Sequence, residues 1–276
     1  MNHAALHGWL VITWGAIVPL LMIVGFGLLV EKLRPAAELQ MRGVVFNVNY
    51  SVLSRLFFAT ANPAISGAFI SIVNGAGGSL LVLPSRGWGL AAAVAAYTIV
   101  MDFGEFIFHR AQHRIPALWA MHSLHHSDPA MNVSTTERHY WAEQVLKAGS
   151  IYLAVAFLFK ANPAVVHWYG LISLSNAFFH MNLRVSLGRC AFLLNSPQYH
   201  RIHHSRLPEH RDRNFAALFP IFDILTGSYY AASRDEYPQT GLLDQDKPSG
   251  LMEAVVWPLH GWLRDYRGER LLAPSD

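Results

Sequence analysis

From Leu10 to Val30 the chain runs for 21 residues without a charged side chain. A helix needs about 20 predominantly apolar residues to cross the hydrocarbon core of a bilayer, so this run sets the solvent of the fold before any other feature does. In lipid every backbone N–H and C=O must find a partner inside the protein, which confines spanning structure to helices or closed barrels. No Lys or Arg precedes the run and no small-residue cleavage site follows it, so it reads as an anchor and not as a signal peptide. Lys32, Arg34 and Arg42 follow it, which places the N-terminus outside and Lys32 inside.

Further uncharged stretches repeat the pattern. Ala64–Leu83 is one, weakened as a helix by the Gly-rich residues 74–78. That Gly cluster has no Lys-Ser/Thr behind it, so it reads as a kink or close helix contact and not as a phosphate loop. Residues 44–60 carry Arg55 and several Asn, and are expected along the interface. Trp88–Phe108 is apolar except for Asp102 and Glu105. Ala148–Phe159 and Ala161–Leu183 are joined by a turn at "KANP", as a full or a re-entrant hairpin. Only 14% of the chain is charged, against roughly 25% in soluble domains. The expected fold is therefore all-α: an integral-membrane helical bundle of about four to five segments with a helical cytosolic cap. Alternating crossings bring Phe108, Lys147 and Arg184 out on the cytoplasmic face, so residues 109–147 and 184–276 should pack together there. The expected division is 1–87 for N-terminal membrane segments, 88–230 for the central unit and 231–276 for a C-terminal tail. Within that tail, residues 251–263 read as an amphipathic surface helix. The net charge of +3 comes without a basic stripe interleaved with aromatics, which argues against nucleic acid.

Histidine is the anomaly. Of 15 in the chain, 11 lie between His109 and His204, so they are concentrated and not scattered. His109 and His113 sit at i, i+4 at the end of an apolar run. His122, His125 and His126 sit at i, i+3, i+4, and His200, His203 and His204 repeat that spacing. On a helix each triplet falls within an arc of about 100°, so three rings face one space. A zinc site uses three or four protein ligands, so eight imidazoles suit two ions better than one. Imidazole suits iron, zinc, copper and nickel alike, so ligand type alone does not name the metal. The single Cys190 excludes thiolate clusters and intrachain disulfides. HExxH and the carboxylate-bridged Glu-x-x-His pattern are both missing around the clusters. His3, His7, His167, His210 and His260 stand outside these spacings and read as structural.

These residues carry a family resemblance over about residues 88–230. "HRAQH" seven residues after Asp102, "PALWAMHSLHHS" (116–127), "NSPQYHRIHHS" (195–205) and "NFAALFPIFDILTG" (214–227) resemble the fatty acid hydroxylase/sterol desaturase superfamily of integral-membrane enzymes. The resemblance implies two non-haem iron ions held by His109, His113, His122, His125, His126, His200, His203 and His204. His180 matches a position where relatives have a ligand, and His139 matches a recurrent family histidine that either binds metal or hydrogen-bonds near the site. Where some relatives carry a histidine four residues before His180, this chain has Asn176. Behind the ligands, carboxylates and amides are expected to hold the outer N–H of each ring. Asp102, Asn132, Arg138 and Asp223 are the candidates for that task, with Asp128, Asn214 and Glu105 as further ones.

The implied activity is dioxygen-dependent hydroxylation or desaturation of a C–H bond in a lipid drawn from the bilayer, fatty-acyl or sterol-like. No flavin or nicotinamide fingerprint is present, so electrons should come from a separate ferredoxin- or cytochrome-like donor. The rival reading is a membrane metal-binding or metal-transport protein. It requires ligands along the spans, whereas the boxes lie outside the apolar runs.

Overall fold

The structure is a computed structural model describing residues 3–266, with side chains placed for all of these except 3–6, 63, 264 and 265. The last ten residues of the expected tail and the ring of His3 lie outside the described part. The fold is mostly helical. α1 (His3–Glu31) tolerates Pro19 in its interior, as helices in lipid do where local adjustments satisfy the freed carbonyl. α2 (Met41–Gly75) is one 35-residue helix, bent by 45° between its Met41–Asn62 and Ala64–Gly75 halves. The break falls at Pro63, which has no amide hydrogen to give. Residues 44–60 are thus part of α2. Arg55 is accommodated because its guanidinium meets Glu137 at 2.7 Å.

The chain then passes through β1 (Leu81–Val82) into α3 (Gly87–Arg114). Ile115 precedes a proline, which disfavours helical backbone, and it is extended at φ −98°, ψ 114°. It ends α3, and Pro116 opens α4 (Pro116–His126) at the position where a missing N–H costs nothing. One residue therefore turns the chain between the first and second histidine boxes. A 3₁₀ turn (Val133–Glu137) follows, capped by the Asn132 side chain accepting from Ser134 N–H. Next come α5 (Trp141–Lys147), a π-helical turn (Ala148–Tyr152) and α6 (Leu153–Leu158). β2 (Phe159–Lys160) pairs parallel with β1. Asn162 caps α7 (Pro163–Ser173), and α8 (Ser175–Phe179) delivers His180. α9 (Pro197–His203) repeats the Pro-at-start device, with the Ser196 hydroxyl accepting from Tyr199 N–H. α10 (Ile221–Thr226) and α11 (Leu251–Tyr266) complete the described residues.

Among the described residues two helices are long and apolar enough to cross a membrane alone, α1 from His7 and α3, or up to three if bent α2 counts as one span. This marks a membrane protein, with two to three candidate spans where four to five membrane segments are expected. In the 148–183 stretch β2 divides the chain, and α7 beyond it has 11 residues and rises about 17 Å.

Packing joins these elements behind the histidines. Leu20 and Val24 of α1, Val44 of α2 and Val133 form one buried cluster with Met181 and Leu183. Gly27 lets α1 approach Val133, since a Cβ there would stand 2.7 Å from Val133 Cγ2. Gly104 does the same for α3 against Ile151, again at 2.7 Å. On the other side Tyr50, Met121, Leu124 and Tyr140 pack with Ala254 and Trp257 of α11. The later chain is tied to the earlier by Thr240, whose hydroxyl donates to Asp128 C=O at 3.0 Å and accepts from Met131 N–H at 3.1 Å.

Candidate metal centre

The end of α3, α4, the residue after α8 and α9 converge on one buried space. His109, His113, His122, His126 and His203 offer nitrogens that all lie within 4.8 Å of one another, and His125, His180, His200 and His204 form a second such group. All nine histidines read as ligands fall into these two groups. The groups share a wall: the rings of His126 and His204 stack at 4.3 Å and 16°, and those of His125 and His204 meet at 4.5 Å.

The outer nitrogens show which ring atom faces inward. His109 Nδ1 lies 2.8 Å from Phe215 C=O, His203 Nδ1 2.8 Å from Arg213 C=O, and His180 Nδ1 2.8 Å from Asn176 C=O. A carbonyl only accepts, so each Nδ1 carries the proton and each Nε2 presents a lone pair to the cavity. His122 donates Nδ1–H to Glu143 Oε2 at 3.2 Å. Nε2 of His109, His122, His203 and His204 is buried without a hydrogen-bond partner. Elsewhere nitrogen faces nitrogen: His180 Nε2 lies 2.9 Å from His200 Nε2 and 3.2 Å from His125 Nε2, and His113 Nε2 lies 3.2 Å from His126 Nε2. Nitrogens crowded in this way either share a proton or share a cation. Two nitrogens bound to one ion at about 2.0–2.1 Å stand about 3.0–3.4 Å apart, so the residues fit a metal. Burial holds His122, His125, His126, His200 and His204 well below the ordinary imidazole range and brings His203 to about 4, so the rings are neutral and ligating at neutral pH.

His139 joins neither group. Its ring lies flat on His125, with centroids 4.0 Å apart, and its Nδ1 reaches Glu143 Oε2 at 3.2 Å. With His122 and Glu143 it makes a third, smaller set of donors. The residues expected to hold the rings act one step further back. Asp102 accepts from Leu218 N–H and Phe219 N–H, both at 2.8 Å. Asp223 accepts from Phe215 N–H at 2.9 Å and Ala216 N–H at 2.7 Å. Both therefore fix the loop whose Phe215 carbonyl takes the His109 proton. Arg138 grips Leu124 C=O and the Ser127 hydroxyl at the end of α4. Asn132 caps its own turn, and Asp128 receives Asn47 and Thr135. Asn214 takes up a left-handed backbone, φ 59°, and accepts from Tyr230 N–H. Glu105 pairs with Lys147 at 2.7 Å. None of these touches an imidazole. The carboxylates that do were not singled out from sequence: Glu143, and Asp212, which lies 3.5 Å from His113 Nδ1. Of the remaining histidines, His210 is buried between the Ser205 hydroxyl and Glu236, a structural role.

Two cavities flank the cluster. One, about 370 Å³, is walled by His113, His126 and His203 on one side and by α11 on the other. A larger one, about 1160 Å³, lies among α1, α2, α3 and α7 and meets the site at His139.

Fold and site together define a helical membrane protein with an all-histidine cluster that could hold metal. Residues 94–228 match the fatty acid hydroxylase family. The chain belongs to the fatty acid hydroxylase/sterol desaturase superfamily. It is 29% identical over 176 residues to an alkylglycerol monooxygenase of Caenorhabditis elegans, covering 61% of this chain and 34% of that protein. It is 27% identical over 158 residues to an ornithine lipid hydroxylase of Rhizobium tropici, covering 56% and 47%. It is 26% identical over 179 residues to a very-long-chain aldehyde decarbonylase of rice, covering 61% and 28%. The matched region thus spans less than half the length of each of these relatives. No solved structure matches the chain.

Proposed function

We propose that the chain is a multi-pass, membrane-bound, non-haem di-iron oxidoreductase that uses dioxygen to hydroxylate a C–H bond of a lipid. The observation that carries this reading is the pair of adjoining groups, five and four imidazoles, whose inward nitrogens either lack a partner or face one another. The names of the relatives, a monooxygenase and a lipid hydroxylase, favour hydroxylation over desaturation. The decarbonylase indicates that related frameworks serve other outcomes on long-chain substrates. In this reading His109, His113, His122, His126 and His203 hold one ion, and His125, His180, His200 and His204 the other. When bound, the two ions supply the redox and Lewis-acid chemistry for activating dioxygen.

The protein's part is positioning and exclusion. Carbonyls of Phe215, Arg213 and Asn176 and the carboxylate of Glu143 lock ring tautomers, so no ring must turn over to ligate. A neutral donor set leaves the charge of the ions uncompensated, which favours binding of reduced, anionic oxygen species. Eight of the nine proposed ligands are buried and His109 is half-buried, which limits the access of bulk water to the reacting carbon. The cluster gathers at one end of α3 and does not string along the spans, which disfavours metal transport. We place this end on the cytosolic side, where Lys32, Arg34 and Arg42 lie, and assign electron supply to a separate carrier.

The test begins with metal. Protein purified under reducing conditions should contain two irons per chain, and His125→Ala or His203→Ala should lose iron and oxidised lipid together while still inserting in the membrane. Unchanged turnover in either variant would sink the assignment.

A further inference from the structure

α11 is built with two apolar faces. At about 100° per residue, Met252, Val256, Leu259, Leu263 and Tyr266 fall on one stripe, and Ala254, Trp257 and Gly261 fall on another about 170° away. The second stripe is buried on the protein. The first is turned outward: Met252 is 79% exposed, Leu259 47%, Leu263 53% and Tyr266 91%. Between them on one flank lie His260 and Glu253, 3.7 Å apart. A helix with only the buried stripe would suit a cap in water. A second apolar stripe of five residues along 15 positions needs its own cover.

The position of the helix says what covers it. Trp257 Nε1–H donates to the Ser123 hydroxyl at 2.9 Å, and Trp262 Nε1–H to Ala117 C=O at 3.1 Å. α11 therefore runs antiparallel along α4, and its last turns sit beside the Ile115 junction where α3, a candidate span, ends. Ile115 itself is 48% exposed, so the apolar surface continues from the end of the span to the helix. The underside of α11 closes the smaller cavity through Trp257, Leu263 of the outward stripe and His260 of the flank line the same cavity, and Arg206, Arg211, Asp244 and Asp246 give it a charged rim. The opposite wall is His113, His126 and His203, so one helix separates the five-histidine group from whatever the stripe contacts.

We propose that α11 lies in the plane of the bilayer surface, its outer stripe among the acyl chains, and forms the door through which a lipid reaches the five-histidine group. The membrane contact stands on the geometry of α11 alone, and the door role rests on the lipid-oxidising reading above. In-plane helices of this kind bury an apolar face at the headgroup boundary. The cavity behind it, at about 370 Å³, is within the size range of small-molecule sites, so it admits one segment of a lipid and not a whole one.

The experiment uses the full chain in dioleoylphosphatidylcholine vesicles, with Cys190→Ser removing the one native thiol. Met252→Cys and Leu259→Cys, and His260→Cys on the polar flank, are labelled with an environment-sensitive dye and challenged with bromine-labelled phosphatidylcholine. Positions 252 and 259 are expected to be blue-shifted and quenched several-fold more than 260. Equal, water-like emission at all three overturns the proposal. So does dye self-quenching that disappears on dilution into excess lipid, which would make the stripe a contact between two copies. Leu259→Asp with Leu263→Asp, both at exposed positions, should leave metal content unchanged and cut oxidised lipid on the order of tenfold. Undiminished product overturns the door role. If the parent chain makes no oxidised lipid, the functional reading fails, while the quenching result still decides whether α11 meets the membrane.

Discussion

Glu143 is the one carboxylate that touches two imidazoles of the cluster region, and Glu143→Gln isolates what it does. Its Oε2 accepts from Gln112 Nε2 at 2.6 Å and from His122 and His139 Nδ1, each at 3.2 Å, while Oε1 accepts from Tyr140 N–H at 3.1 Å. Glutamine has the same shape but one acceptor oxygen. With that oxygen toward the rings, its NH₂ confronts Tyr140 N–H. With the oxygen toward Tyr140, its NH₂ confronts three donors. A hydrogen bond to a charged group is worth about 1.5–3 kcal/mol. Loss of such a partner behind a metal ligand costs 10–100-fold in affinity, about 1.4–2.7 kcal/mol, so the two routes agree. None of the four rings of the second group bonds to Glu143, so the weakening should fall on the ion held with His122. Chelator titration of the purified variant should release that metal at 10–100-fold lower chelator, leaving the other as in the parent. Equal chelator resistance of both metals in variant and parent would refute the argument that this carboxylate sets the His122 ring.

Other consequences are simpler to state. Asp223→Asn removes a carboxylate that is wholly buried and accepts from two backbone amides, the Ser228 hydroxyl and the Tyr199 hydroxyl. It should cost about 3 kcal/mol in a denaturation midpoint, and His109 should lose its fixed orientation because the Phe215 loop is freed. Gly104→Ala puts a methyl 2.7 Å from Ile151 Cγ2, so thermal unfolding should report about 1–3 kcal/mol of overpacking, and an unshifted melt would contradict the close approach. In metal-free protein His122, His125, His126, His200 and His204 have pKa values below the unfolded value of about 6.5, and His203 near 4. The unfolded state then binds more protons, so stability is full above pH 6.5 and falls as pH drops toward 4; a melting midpoint that rises from pH 7 to 5 would reverse the sign.

What could be read from the sequence, and what could not, follows the range of each interaction. The i, i+3, i+4 histidine spacings are local, and a proline opens each triplet's helix, so the residues that converge were legible without coordinates. His180 was found only through resemblance, because nothing near it repeats. The expected ring partners Asp102, Asn132, Arg138 and Asp223 are indeed buried polar groups, but they bind backbone, whereas Glu143 reaches His122 across a turn and a helix start. A single acidic residue in "YWAEQ" carries no periodic signal of that contact. Likewise the partner of Arg55, Glu137, lies 82 positions away and leaves no signal beside it. Hydropathy registers composition and not the strand that divides 148–183, so the short helices there were not legible.

The same distinction explains why the cluster is assembled as it is. A neutral imidazole ligand specifies nothing about its own orientation, and nine of them packed within one cavity would repel as lone pairs if free to turn. For three of the rings, His109, His203 and His180, the chain assigns that orientation to groups that do not titrate near neutral pH: the backbone carbonyls of Phe215, Arg213 and Asn176. Two of these lie on the 213–219 loop, which Asp223 anchors at Phe215 and Ala216 and Asp102 at Leu218 and Phe219, all through backbone amides. A site organised by carbonyls on a braced loop should be preformed before metal arrives. Metal-free and metal-loaded protein should therefore give the same proteolytic pattern across residues 205–220, and metal-dependent protection there would show instead that the ion builds the loop.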